Sequence, residues 1–264
     1  MKTQRNEFLT ELLALLAVIV IVQGVYAGLV RPRATALLAA QQAAMAKDPE
    51  YVPERSLFVI AKDYEQETCF VLSIWALIVM SVRARAVARS RRLLATDLLN
   101  LPAGMRVLPE DSREYLRHLE GLALPERHAL LPRALVTALE RFGATRSVQD
   151  ASAAARNLCQ MENERLDSEL SMVRFVAWAI PAVGFVGTVR GIGESLQQAH
   201  RAVEGDVSGV TAGLGISFNS TLIALSLSIL VMFFLHQLQL LQERLVLDSE
   251  AYVDERLLRH LQVR

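Results

Sequence analysis

The chain has 264 residues, 52% of them hydrophobic, and its 28 basic and 28 acidic side chains cancel to a formal net charge of zero. A neutral chain carries no overall field that would draw it to nucleic acid. Its separate apolar runs place it instead among all-α integral membrane proteins, with four transmembrane helices as the expected architecture.

Residues 1–30 hold a short polar opening and the first span. Leu12 to Val30 is nineteen residues without a charge, long enough to cross a bilayer. A signal peptide is the rival reading, because Val25-Tyr26-Ala27 resembles a cleavage site after Ala27. Glu7 and Glu11 ahead of the run, and its apolar continuation past Ala27, weigh against that.

Residues 31–67 mix five Lys or Arg with six Asp or Glu and read as a solvated loop. Within it, Ala34–Ala46 is expected to form a helix ending before Pro49, and Ser56 to Glu67 an amphipathic helix leading into the next span; no functional site is read here. The second span is 68–82, where Thr68 to Val82 is fifteen uncharged residues that include Trp75. Arg83, Arg85, Arg89, Arg91 and Arg92 follow with no acid among them, the signature of a cytoplasmic flank. A nucleic-acid-binding reading of these arginines is the weaker one, since their place beside a span accounts for them.

That flank sets the topology: residues 83–171 form a cytoplasmic helical domain, both termini are cytoplasmic, and the loops 31–67 and 194–211 are extracytoplasmic. Fourteen arginines lie between 83 and 170, against Arg201 alone in 194–211. The domain is punctuated at Pro102, Pro109, Pro125 and Pro132, and Gly143 is expected to close a helix containing Ala134 to Phe142. Ser147 to Asp150 reads as a helix start. From about Gln149 no breaker occurs before Pro181, so one helix of about 45 residues, roughly 67 Å, is expected to run to Gly193.

The third and fourth spans, 172–193 and 212–237, are the core of the sequence. No formal charge lies between Arg174 and Arg190, or between Asp206 and Glu243. The first of these runs reaches only ~22 Å of a ~30 Å hydrocarbon core, so Arg190 must snorkel or face the protein interior. Gly184, Gly187, Thr188 and Gly191 recur at helical spacing in the third span, and Pro181 removes a backbone donor and predicts a bend. In the fourth, Gly213, Ser217, Ser220, Thr221, Ala224 and Ser228 form a small or hydroxyl-bearing stripe, with Ile216, Leu222, Ile223, Ile229 and Phe233 opposite. Two readings of these stripes stay open: packing faces of a helical bundle, or hydroxyls lining a wet ion path. The fourth span continues into a cytoplasmic helical tail, 238–264, where charge and leucine alternate.

Other chemistry is not indicated. Histidines 118, 128, 200, 236 and 260 show no metal-ligand spacing, and His236 reads as an interface marker. Cys69 and Cys159 fall on opposite sides of the membrane in this topology and read as structural thiols. Gly215-Ile-Ser217-Phe-Asn219 misses the nucleophile-elbow pattern in its last residue. No enzyme and no cofactor are expected. Neither core span carries an Asp, Glu or His at mid-membrane depth, so a proton relay would need a titratable group from another polypeptide.

The segments GFVGTVRGIG and GLGISFNSTLIAL, separated by a short loop, resemble the core signature of the MotA/TolQ/ExbB proton channel family. The matching positions are Gly187, Thr188, Val189, Gly191 and Ile192, then Gly213, Thr221, Ala224 and Leu225. Ala224 stands where many members have glycine, Asn219 and Ser220 precede the threonine, and Arg190 sits inside the first motif. The resemblance covers roughly the last third of the chain. It implies a bacterial inner-membrane ring, typically of five copies, around two single-span MotB/TolR/ExbD-type partners whose membrane aspartate carries the proton. In that setting Thr188 and Thr221 face the partner, with Ser217, Ser220 and Ser228 along the ion path. Pro181, Gly184, Gly187, Gly191, Gly213 and Ala224 shape the packing beside it. The carried ion is H⁺ or Na⁺, and the work done ranges over import, envelope maintenance, motility and defence. The short tail implies a member without a long cytoplasmic extension. A non-conducting membrane scaffold is the alternative.

Overall fold

The computed structural model describes residues 2–47, 56–101 and 105–262. In chain order the helices are α1 (Lys2–Val25), a π-helical turn (Tyr26–Val30), α2 (Arg31–Lys47), α3 (Leu57–Ile60), α4 (Tyr64–Leu93), α5 (Ser112–Glu120), α6 (Leu124–Arg127), α7 (Leu130–Thr145), α8 (Val148–Glu169), α9 (Ser171–Gln197), α10 (Ala199–Val203) and α11 (Ser208–Arg256), closed by a 3₁₀ turn at Leu258–His260. The fold is all-α: no strand forms among the described residues, only an isolated bridge between Val107 and Leu261. Four helical stretches among the described residues, Leu9–Met45, Tyr64–Leu93, Val148–Gln197 and Ser208–His260, are long and apolar enough to cross a membrane.

The chain divides into two compact units, residues 1–80 with 172–235, and residues 81–171 with 236–264. The first unit holds the apolar helices. Here α9 and α11 run antiparallel, with contacts stepping from Ala177 against Ser228 at one end to Ser195 against Val210 at the other. Small residues let the two backbones close on each other. A methyl group on Gly187 would lie 2.5 Å from Ser220 Cβ, and one on Gly191 would lie 2.5 Å from the Gly213 carbonyl oxygen. Gly184 takes the Ala224 methyl against its bare Cα, so the Ala224 departure from glycine is accommodated from the facing helix.

Pro181 lies inside α9 and leaves the carbonyl of Ala177, four residues back, without its helical donor. Ser228 fills that gap from α11, its Oγ donating to the Ala177 oxygen at 3.0 Å. Other hydroxyls of the pair cover themselves in the same way. Ser195 Oγ donates to Gly191 O and Ser217 Oγ to Gly213 O, each one turn back.

On the other flank α1 packs against α4. The Trp75 indole donates to the Glu11 carbonyl at 2.9 Å, Tyr26 packs on Phe70, and Arg31 pairs with Glu67 while stacking over Tyr64. The helix of the first span does not stop at Val30: through the π-helical turn it continues as α2 to Lys47. Ser56 to Glu67 is not one amphipathic helix. Only Leu57–Ile60 is helical before the chain turns, and α4 starts at Tyr64, where Glu65 and Glu67 suit the positive end of the helix dipole. Pro49 lies outside the described residues.

The second unit has its own core, in which Leu131, Leu135, Leu139 and Phe142 of α7 meet Ala151, Ala155 and Cys159 of α8 and Val253 and Leu257 of the α11 tail. Ser147 caps α8 as expected, accepting from the Asp150 amide at 3.2 Å. Gly143 does not close α7. The helix runs on to Thr145 and ends at Arg146, which takes the left-handed conformation (φ 54°) that a glycine would have taken more easily. The expected uninterrupted helix from Gln149 to Gly193 is broken at Leu170, whose amide bonds Asp167 O three residues back, so α8 and α9 are separate helices. Pro102 falls outside the described residues.

Two outcomes follow from this packing. Ser228→Ala is expected to destabilise the fold by about 1–2 kcal/mol, because it strands a carbonyl in an apolar setting, and by less than about half that in a Pro181→Ala background, where Ala177 regains its helical donor. Unfolding of the purified protein in detergent measures this, and equal losses in both backgrounds would refute the pairing. Cys159 is buried, and burial, reinforced by Glu250 and Glu162, pushes its thiol up to about 11. At pH 8 its thiolate fraction is then roughly 10⁻³, so maleimide labelling of the folded protein should be on the order of a hundredfold slower than for a free thiol and recover on unfolding.

Candidate functional site

The residues singled out on α9 and α11 divide into two sets when placed. Gly184, Gly187, Gly191, Gly213, Ser217, Ser220, Ala224 and Ser228 are buried along the seam between the two helices. Ser217 donates to the Thr188 carbonyl at 3.1 Å, Ser220 accepts from Gln66 at 3.1 Å, and Ser228 serves the Pro181 gap. These three serine hydroxyls therefore lie inside the helix pair rather than on a surface of it. Pro181 is half-buried at the same seam.

Thr188 and Thr221 form the second set. Each follows a buried seam residue, Gly187 and Ser220, and the ~100° helical step turns it to the edge of the contact, where it is half-buried. Their hydroxyl oxygens are 2.5 Å apart. Thr188 Oγ1 also lies 3.2 Å from the Gly184 carbonyl and 3.4 Å from that of Ser217. Each hydroxyl has a single proton, and in one arrangement Thr188 donates to one of the two carbonyls while Thr221 donates to Thr188. Thr221 Oγ1 then keeps acceptor lone pairs that its own chain does not use.

The first turn of α4 closes the opposite edge of the seam. Glu65 binds Arg190 in bidentate fashion, at 2.7 and 2.8 Å, with Glu194 at 3.1 Å and Asp63 at 3.8 Å completing the surroundings of the guanidinium. Gln66, fully buried, reaches Ser220, and Cys69 Sγ lies 3.6 Å from the Ile180 carbonyl. α4 thus covers one side of the seam, and the threonine pair lies half-buried at the other. Arg190, its side chain still 36% exposed, turns toward these acids. The acids that meet it come from residues 63–67, the end of the segment in which the sequence shows no site. One signal pointed there: a lone arginine inside an apolar motif demands a counter-charge. Among the described residues no His, Cys, Asp and Glu group is arranged to hold a metal ion.

No curated protein and no solved structure matches the chain. A family match does exist, and it spans more than the two core helices. It begins in α6 and takes in α7 and α8 as well as α9 and most of α11, so the resemblance extends beyond the last third of the chain. Four helical stretches able to span a bilayer mark a multi-pass membrane protein, and the matched family points to a channel-type function. Over residues 127–251 it matches the model of the MotA/TolQ/ExbB proton channel family.

Proposed function

We propose that the chain is the ring subunit of an ion-driven motor in a bacterial inner membrane, passing H⁺ or Na⁺ along its contact with a single-span partner and turning the gradient into movement. The observation that carries this reading is the Thr188–Thr221 hydroxyl pair, half-buried at the edge of the seam, with acceptor capacity left on Thr221. A protonated carboxyl or a partly hydrated cation arriving from outside the chain finds an oxygen there in place of water. The uncharged stretches of α9 and α11 carry no acid or histidine near the pair, so the titrating group comes from the partner. In keeping with the family, five copies would enclose two partners, each bearing a membrane aspartate. The arginine excess in 83–170 supports cytoplasmic termini. One charge crossing 100 mV supplies about 2.3 kcal/mol, enough to bias a conformational step.

A second reading, a non-conducting scaffold, is favoured by one observation: Ser217, Ser220 and Ser228 spend their hydroxyls on packing. Thr221 separates the two. Thr221→Val is expected to leave the abundance and assembly of the complex intact and to lower gradient-driven proton or sodium flux at least tenfold, while Thr221→Ser retains most of it. Flux is to be measured in liposomes holding the complex isolated from its native membrane through a tag on this chain. Wild-type flux by the valine variant would leave the scaffold.

A further inference from the structure

We infer that Glu65 is a specificity-determining residue for cation passage: it cancels the Arg190 charge that the core motif places beside the ion path. This rests on the reading of Thr188 and Thr221 as that path. An arginine two residues after Thr188 is an awkward neighbour for a cation. A ~200° helical turn puts it across the helix from the hydroxyl pair, at roughly the 10 Å width of a helix. At that separation, in a medium of intermediate polarity, a wholly uncompensated positive charge would deplete a cation at the pair on the order of tenfold; with the guanidinium 36% exposed and Glu194 and Asp63 still beside it, losing Glu65 alone does less.

The carboxylates around the guanidinium are not equivalent. Glu194 makes one bond and its side chain is 43% exposed, so solvent screens it. Asp63 lies 3.8 Å away and shares the same oxygen with Lys62 at 2.9 Å. Glu65 makes both short bonds, and its side chain is 12% exposed. It comes from a helix outside the core pair, and its Cγ packs over the bare Cα face of Gly187, where a methyl group would stand 3.2 Å from it. Gly187 therefore serves two contacts, the close approach of α11 and the seat of the compensating acid.

A purely structural ion pair and a charge compensator predict different outcomes when each partner is removed. If the pair only ties α4 to α9, losing either end breaks the same bond and does the same harm. If Glu65 acts by cancelling charge, the two ends are opposite in effect. In the liposome assay with the native complex, Glu65→Gln is expected to lower proton or sodium flux about fivefold at unchanged abundance. Arg190→Gln should give flux at or above wild type, and the double variant should return to near wild type. Equal loss in the two single variants, or wild-type flux in Glu65→Gln, would overturn the inference. Should Glu65→Gln fail to accumulate, the double variant decides: near-wild-type flux supports compensation, and flux as low as that of Thr221→Val rejects it. The threonine variant also keeps the two ideas apart. Loss of flux in Thr221→Val with normal flux in Glu65→Gln sinks only the role of Glu65, whereas normal flux in both removes the ion path itself.

Discussion

Two helices that meet through glycine and serine bring their backbones so close that the polar groups between them must find partners on the other helix, on their own or, for Ser220, on α4. An unpaired carbonyl at membrane depth is costly. This constraint fixes the register of α9 against α11. Gly184 receives Ala224, Gly187 receives Ser220, and Gly191 receives Gly213 and Ser217. Ser228 is then level with the carbonyl that Pro181 orphans. A slip of one residue would drive methyl groups into backbone and leave that carbonyl bare.

The register accounts for the difference between the two edges of the seam. On one edge α4 adds a buried glutamine, a thiol and a bidentate ion pair, so the core pair becomes a braced three-helix unit. On the other edge the two threonines bond each other and are half-buried. A path for an ion needs oxygen ligands in a fixed place together with access. On the proposed reading, the braced edge would supply the fixity and the threonine edge the access, both from the same backbone contact.

Much of this was legible in the sequence because it depends on local spacing. Apolar length marks the spans, small residues at three- and four-residue intervals mark the seam, and Ser147 announces α8. The pairing of Arg190 with Glu65 was not legible, since 125 residues separate the partners and residues 63–67 look like solvated approach to a span. Nor did periodicity alone distinguish the serines from the threonines, which share one broad stripe. Helix ends were read from residue type where packing decides: Gly143 stays within α7, and Arg146 takes the left-handed position in its place.

The stripe resolves by burial rather than by spacing. Ser217, Ser220, Ala224 and Ser228 keep to intervals of three and four and so stay on the buried line. Thr221, four residues after Ser217 and three before Ala224, and Thr188, four after Gly184 and three before Gly191, keep the same intervals, and it is their half-burial that sets them on the flank of the stripe. One step along a helix is about 100°, which carries a side chain from the middle of a contact to its rim. Each threonine thus borrows its position from the packing residue before it, and the β-branch restricts its rotamers once there. Serine on the buried line and threonine on the rim perform different tasks with the same functional group: the first closes the backbone's hydrogen bonds, the second leaves an oxygen facing out of the pair.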